Sequence, residues 1–169
     1  MPGFPLSAAD RALVTAAVTT AEAGNPTADD RNVELFGTLA ADWWDPEGSS
    51  KLLHRINHCR MAWVREKAVA HFAREPRARR ALEGLTALDI GCGAGLVAEP
   101  LARMGAKVSA IDAGAEVIAA AREHAAAMGL SIEYHAGNLI DFAEDRAARF
   151  DLITCLEVLE HVTERPAFL

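Results

Sequence analysis

The sequence predicts an α/β fold built on a parallel sheet, and three observations carry that prediction. Beyond about residue 80, short apolar runs alternate with helical stretches. The first run leads directly into a turn with three glycines. The second run ends in an aspartate about twenty residues after the first of those glycines, the spacing at which an acidic side chain meets a ribose. The four runs are Ala87-Leu88-Asp89-Ile90, Lys107 to Ile111, Ser131 to Tyr134, and Phe150 to Cys155. The intervening segments, 95–104, 115–128 and 139–147, read as helices.

Upstream, the chain divides by composition. Residues 1–31 form a flexible or helical extension rich in Ala, Thr and Asp, with prolines bracketing one expected helix from Ser7 to Ala23. Residues 32–80 form a helical segment expected to cover the site. There Leu35, Phe36, Leu39, Trp43 and Trp44 recur at helical spacing until Asp45-Pro46-Glu47-Gly48 forces a turn, and a further helix is predicted from about Asn57 to Ala73. Residues 81–169 hold the strands.

Composition narrows the function classes. The chain has 169 residues, 51% hydrophobic and 24% charged, which is a globular composition. Its net charge of -7 and the absence of a long basic run argue against nucleic acid as a partner. No apolar stretch approaches the roughly 20 residues needed to span a bilayer. Asp10 and Arg11 argue against a secretory signal core. Cys59, Cys92 and Cys155 are odd in number and widely spaced, so neither a disulfide framework nor a zinc knuckle is expected, and a reducing, cytoplasmic setting is.

The turn after the first run is Gly91-Cys92-Gly93-Ala94-Gly95. Glycines let the chain reverse sharply and let a ligand approach the backbone. Position 96 is Leu, so the pattern is GxGxG and not the GxGxxG of pyrophosphate-binding folds. Asp112, ending the second run, can accept hydrogen bonds from both hydroxyls of an adenosine ribose, so the pair of features suits an adenosyl ligand. A tight turn with an incidental aspartate is the plainer account of the glycines taken alone.

The stretch Leu88 to Gly95 resembles the first motif of class I S-adenosylmethionine-dependent methyltransferases, and Phe150 to Cys155 resembles their fourth strand. Two further segments, Trp43 to Gly48 leading to Leu53-His54-Arg55-Ile56-Asn57, and Cys155 to Val162, resemble the ubiquinone-biosynthesis O-methyltransferase family. The resemblance spans about residues 32–162. It implies a Rossmann-like class I methyltransferase fold with an N-terminal helical extension. Such a sheet has about seven strands; with four identified, the expectation is a fold cut short after the fourth strand, whose exposed edge leaves the chain by itself weak or inert in catalysis.

The resemblance also implies site residues. Arg60, Gly91, Gly93, Asp112 and Leu156 would contact S-adenosylmethionine, with Arg60 pairing the donor carboxylate. Trp43 and Trp44 are expected to be packing anchors with no direct role. Cys92 and Cys155 are expected to be small apolar fillers. Glu157, Glu160 and His161, at i, i+3 and i+4, would share a helical face. Two carboxylates and an imidazole suit a divalent ion, with Mg²⁺ the default, although acidic residues also favour helix starts through the macrodipole. Spacing leaves those two readings even, and the resemblance implies the metal. No catalytic base is assigned.

The implied activity is O-methylation of a polyprenylated catechol or demethylubiquinol. Another class I small-molecule methyltransferase, or a non-catalytic methyltransferase-like subunit of a biosynthetic assembly, are the alternatives. A prenylated phenol or quinol implies peripheral contact with the inner face of the membrane. A homo-oligomer or a biosynthetic complex would cover the fourth strand.

Overall fold

The computed structural model describes residues 30–144, 149–162 and 165. The helix expected from Ser7 to Ala23, and positions 145–147 of the helix expected before the fourth strand, lie outside these residues. The elements run α1 (Asp30–Leu39), a 3-10 turn (Ala40–Asp42), α2 (Lys51–His71), β1 (Thr86–Ile90), α3 (Ala98–Arg103), β2 (Lys107–Asp112), α4 (Ala115–Ala127), β3 (Ile132–Ala136), α5 (Leu139–Ala143), β4 (Leu152–Cys155) and a second 3-10 turn (Leu159–His161).

The four strands form one sheet in the order β3-β2-β1-β4, and every neighbouring pair is parallel. After β3 the chain crosses back to the other side of β1. The strand order therefore reverses between β1 and β2 on one side and β4 on the other, where open α/β sheets bind ligands at the carboxyl ends of their strands. β4 is the edge strand among the described residues, and its Ile153 is 57% exposed.

Alternation along the strands sorts the core into two faces. Ala87, Val108, Ala110 and Tyr134 point to one face, against Met61, Val64 and Ala68 of α2, Leu101 of α3, and Ile118, Ala121 and Ala125 of α4. Leu88 and Ile111 point to the other, against Phe142 of α5. Asn138 starts α5 as a cap, its side-chain oxygen accepting from the Ile140 N–H at 2.8 Å.

Helix bounds differ from the sequence expectation where local signals compete. α2 starts at Lys51, six residues ahead of the predicted Asn57, because the Asp45-to-Gly48 turn is itself compact: the Gly48 N–H donates to Asp45 O at 3.0 Å. α3 is shorter than the 95–104 stretch, since Gly95 stands at φ 98° and the loop consumes the first turn. Phe150 and Asp151 precede the strand they were expected to begin: Asp151 is held outside it by the Thr86 N–H and hydroxyl on its carboxylate, at 2.8 and 2.9 Å.

Candidate donor site

The glycine loop is tied to the ends of both central strands. The N–H groups of Gly91 and Cys92 both donate to Ile111 O, at 2.8 and 3.1 Å. Asp112 then holds the loop through its side chain: Gly93 N–H donates to Oδ2 and Gly114 N–H to Oδ1, each at 2.9 Å. Burial raises the Asp112 carboxyl above its usual range, against the pull of these two backbone donors. Each carboxylate oxygen can accept a second hydrogen bond, so Asp112 keeps capacity for ligand hydroxyls while splinting two loops.

Asp89, two residues before Gly91, is 2% exposed. The β1–β4 register puts it beside Thr154, whose hydroxyl donates to Oδ1 at 2.7 Å. Among the described residues its Oδ2 accepts no hydrogen bond. Desolvation pushes the carboxyl up to about 7, with the nearby Asp112 adding to the rise and the Thr154 hydroxyl opposing it. A buried acceptor without a donor is costly, and a ligand N–H or ammonium would satisfy it.

The N-terminal segment lies over the loop. The Trp43 ring stands so close to Gly93 that a Cβ there would meet Cζ2 at 2.7 Å, and Gly93 itself has φ 52°, so both space and backbone require glycine. The Trp44 indole N–H donates to Ala94 O at 3.1 Å, and the Asn57 amide donates to Leu96 O at 2.6 Å. Trp43 is thus more than the packing anchor expected from sequence: it walls the cavity. No local pattern signals this, because its partner is a backbone surface about fifty residues away.

The segment after β4 departs most from expectation. Glu157 has φ 57°, a left-handed conformation, and only Leu159–His161 form a 3-10 turn, so Glu157, Glu160 and His161 do not share an α-helical face. The Glu157 carboxylate pairs with the Arg60 guanidinium, and the His161 ring meets Phe36 edge-on at 5.4 Å. Among the described residues no group of three His, Cys, Asp or Glu side chains is close enough to hold a metal ion. The triad as arranged does not fit a divalent ion: one carboxylate is occupied by a cation, and the backbone reversal at Glu157 breaks the spacing the metal reading needs.

These parts enclose a cavity of about 300 Å³ at the carboxyl ends of β1 and β2, bordered also by the segment after β4. Arg60, Gly91, Gly93, Asp112, Leu156, Glu157 and His161 all line it, as do Asp89 and Trp43, whereas Glu160 does not. Cys92 also lines it, and burial pushes both the Cys92 and the Cys155 thiols up, away from thiolate chemistry. Gly137, after β3, borders it too, while the neighbouring Asn138 oxygen is used as the α5 cap.

Comparison with known proteins places this geometry. The family profile described as a methyltransferase domain matches residues 87–169. Over 148 residues the chain is 46% identical to the ubiquinone biosynthesis O-methyltransferase of Chelativorans sp. (strain BNC1), covering 88% of this chain and 58% of that protein. Along most of its length the chain is similar to the ubiquinone biosynthesis O-methyltransferases. Two further proteins of that name are similar to the same extent: that of Caulobacter vibrioides is 46% identical over 83% of this chain, and that of Sinorhizobium medicae 43% identical over 88%. The chain spans 56 to 59% of the length of these ubiquinone biosynthesis O-methyltransferases. Magnesium protoporphyrin IX methyltransferase from Synechocystis PCC 6803, solved with bound SAM, shares the fold with a TM-score of 0.60 at 24% identity, over 88% of this chain and 69% of that one.

Proposed function

We propose that this chain binds S-adenosylmethionine in the cavity at the ends of β1 and β2 and serves the O-methylation of a polyprenylated catechol or demethylubiquinol in ubiquinone biosynthesis. The observation that carries the reading is the joint placement of Asp112 and the glycine loop, with the unpartnered Asp89 oxygen beside them. When bound, the donor supplies an electrophilic sulfonium methyl group. Asp112 would receive the ribose hydroxyls, Asp89 an ammonium, and the backbone at Gly91 and Gly93 leaves room for close approach. The apolar walls, among them Leu96, Val117 and Leu156, keep water from the reacting atoms. Catalysis in this arrangement is mainly positioning: an acceptor phenolate must meet the methyl group in line, and the fold supplies that alignment.

A divalent ion at Glu157, Glu160 and His161 is implied by the family resemblance, but the side chains as arranged do not support it. A polyprenyl acceptor gives the protein reason to work at a membrane surface. No helix among the described residues is long and apolar enough to cross one, while Leu52 and Trp63 of α2 are exposed. Calorimetry with S-adenosylhomocysteine and with NAD tests the donor, and transfer of a labelled methyl group to catechol acceptors tests the reaction. Preference for NAD would overturn the reading.

A further inference from the structure

We propose that Trp44 is a positioning residue for the donor loop, oriented by His124 and the buried Glu99, so that docking of the N-terminal helical segment and occupancy of the donor cavity are coupled. The inference rests on the donor-binding reading above. Neither Trp44, Glu99 nor His124 lines the cavity, so none of them acts by touching the donor. What they touch is the loop. The Trp44 indole N–H donates to the carbonyl of Ala94, which lies between Gly93 and Gly95 and is fully buried. That hydrogen bond requires one orientation of the indole, and His124 sets it: the imidazole lies flat on the indole, with centroids 3.6 Å apart and planes 6° from parallel.

The imidazole is fixed in turn. Its Nδ1 lies 2.6 Å from Glu99 Oε1, and a carboxylate can only accept, so Nδ1 carries the proton. Glu99 is 1% exposed, and its second oxygen accepts from Arg103 at 3.0 Å. Its own N–H donates to Gly95 O at 3.0 Å. Glu99 therefore holds the loop by its backbone and the cap by its side chain, through His124 and Trp44. A buried, fully engaged carboxylate is weak evidence for stability and better understood as fixing one geometry. Whatever loosens the cap on the loop must weaken the donor by the same factor that the donor strengthens the cap.

The test compares Trp44→Phe, which keeps a flat ring and loses the N–H, with Leu85→Val, a core change before β1 and away from the glycine loop. Trp44→Phe is expected to weaken S-adenosylhomocysteine about 2- to 10-fold by calorimetry, the loss of one neutral hydrogen bond, and to shift the Gly93 and Gly95 amide resonances without ligand. Leu85→Val should leave both unchanged at a comparable drop in Tm. Glu99→Gln, which keeps an acceptor for His124, should retain affinity where Glu99→Ala loses it. Unchanged amide resonances in Trp44→Phe, or equal losses of affinity in Trp44→Phe and Leu85→Val, would overturn the proposal. If the wild-type chain does not bind S-adenosylhomocysteine, the donor reading fails, and the ligand-free amide shifts still decide whether Trp44 positions the loop.

Discussion

Arg60 of α2 and Glu157 after β4, 97 residues apart in the sequence, form an ion pair within the cavity wall. The family resemblance assigns the arginine to the donor and the glutamate to a metal; in the fold each occupies the other. Glu157 is half exposed, so the pair adds little to stability, of the order of 0–1 kcal/mol. Its consequence is for binding: Glu157 competes with a ligand carboxylate for the Arg60 guanidinium.

Glu157→Gln is therefore expected to bind S-adenosylhomocysteine as tightly as wild type or a few-fold tighter, and Arg60→Ala to bind about tenfold more weakly, the scale of one charge-assisted hydrogen bond. Chelation of divalent ions should leave this binding unchanged, as should Glu160→Gln. Isothermal calorimetry with and without chelator reads all four. A chelator that abolished methyl transfer while leaving donor binding intact would restore the metal to the site.

Asp112 holds two loop N–H groups and, in the proposed reading, also receives the ribose hydroxyls. Asp112→Ala frees the Gly93 and Gly114 N–H groups together and removes the proposed ribose acceptor, so donor binding should fall about 10- to 100-fold, corresponding to about 1.4–2.7 kcal/mol. Asp112→Asn keeps one acceptor oxygen and can hold one of the two N–H groups. It should fall between wild type and Asp112→Ala in both affinity and Tm.

The raised carboxyl of Asp89 predicts a pH dependence. Its folded value of about 7 lies above the roughly 3.9 of an unfolded aspartate, so the neutral form is favoured in the fold. The stability this group contributes is full below about pH 4 and is lost as pH rises to about 7, after which it stays lost. An ammonium ligand prefers the ionised form, so its affinity should move the other way, rising about tenfold from pH 6 to pH 8. Titrating S-adenosylhomocysteine in buffers of different ionisation enthalpy should detect proton release near pH 6.5, and Asp89→Asn should flatten the profile.

Much of this site is legible in the sequence because it is built from consecutive residues. The glycine loop follows its strand, Asp112 ends the next, and the buried centres of β1 and β2 match their apolar runs. The residues that were not legible act across the fold. Trp43 meets Gly93, and Trp44 meets Ala94 and His124, through contacts that no local spacing encodes. The Glu157-x-x-Glu160-His161 stretch misleads for the opposite reason. It has helical spacing, but a left-handed Glu157 intervenes, and a non-glycine residue in that conformation carries no mark in the sequence.

Gly95 and Tyr134 supply a test of how tightly the loop is built. Gly95 has φ 98°, where a side chain costs roughly 1–3 kcal/mol from backbone strain alone. A Cβ there would also run into the Tyr134 hydroxyl. That hydroxyl is buried and has no hydrogen-bond partner among the described residues, and burial raises its ionisation so that it stays a neutral O–H. Tyr134→Phe removes an unsatisfied polar atom at nearly constant shape and is expected to be neutral or slightly stabilising. Gly95→Ala should lower stability by at least the backbone cost. In the double variant the steric part of that loss should return while the backbone part remains, giving a coupling of about 0.5–3 kcal/mol. Urea denaturation of the four proteins measures the cycle. Strict additivity would mean that the loop can shift away from Tyr134, and that the glycine is required there for its backbone conformation alone.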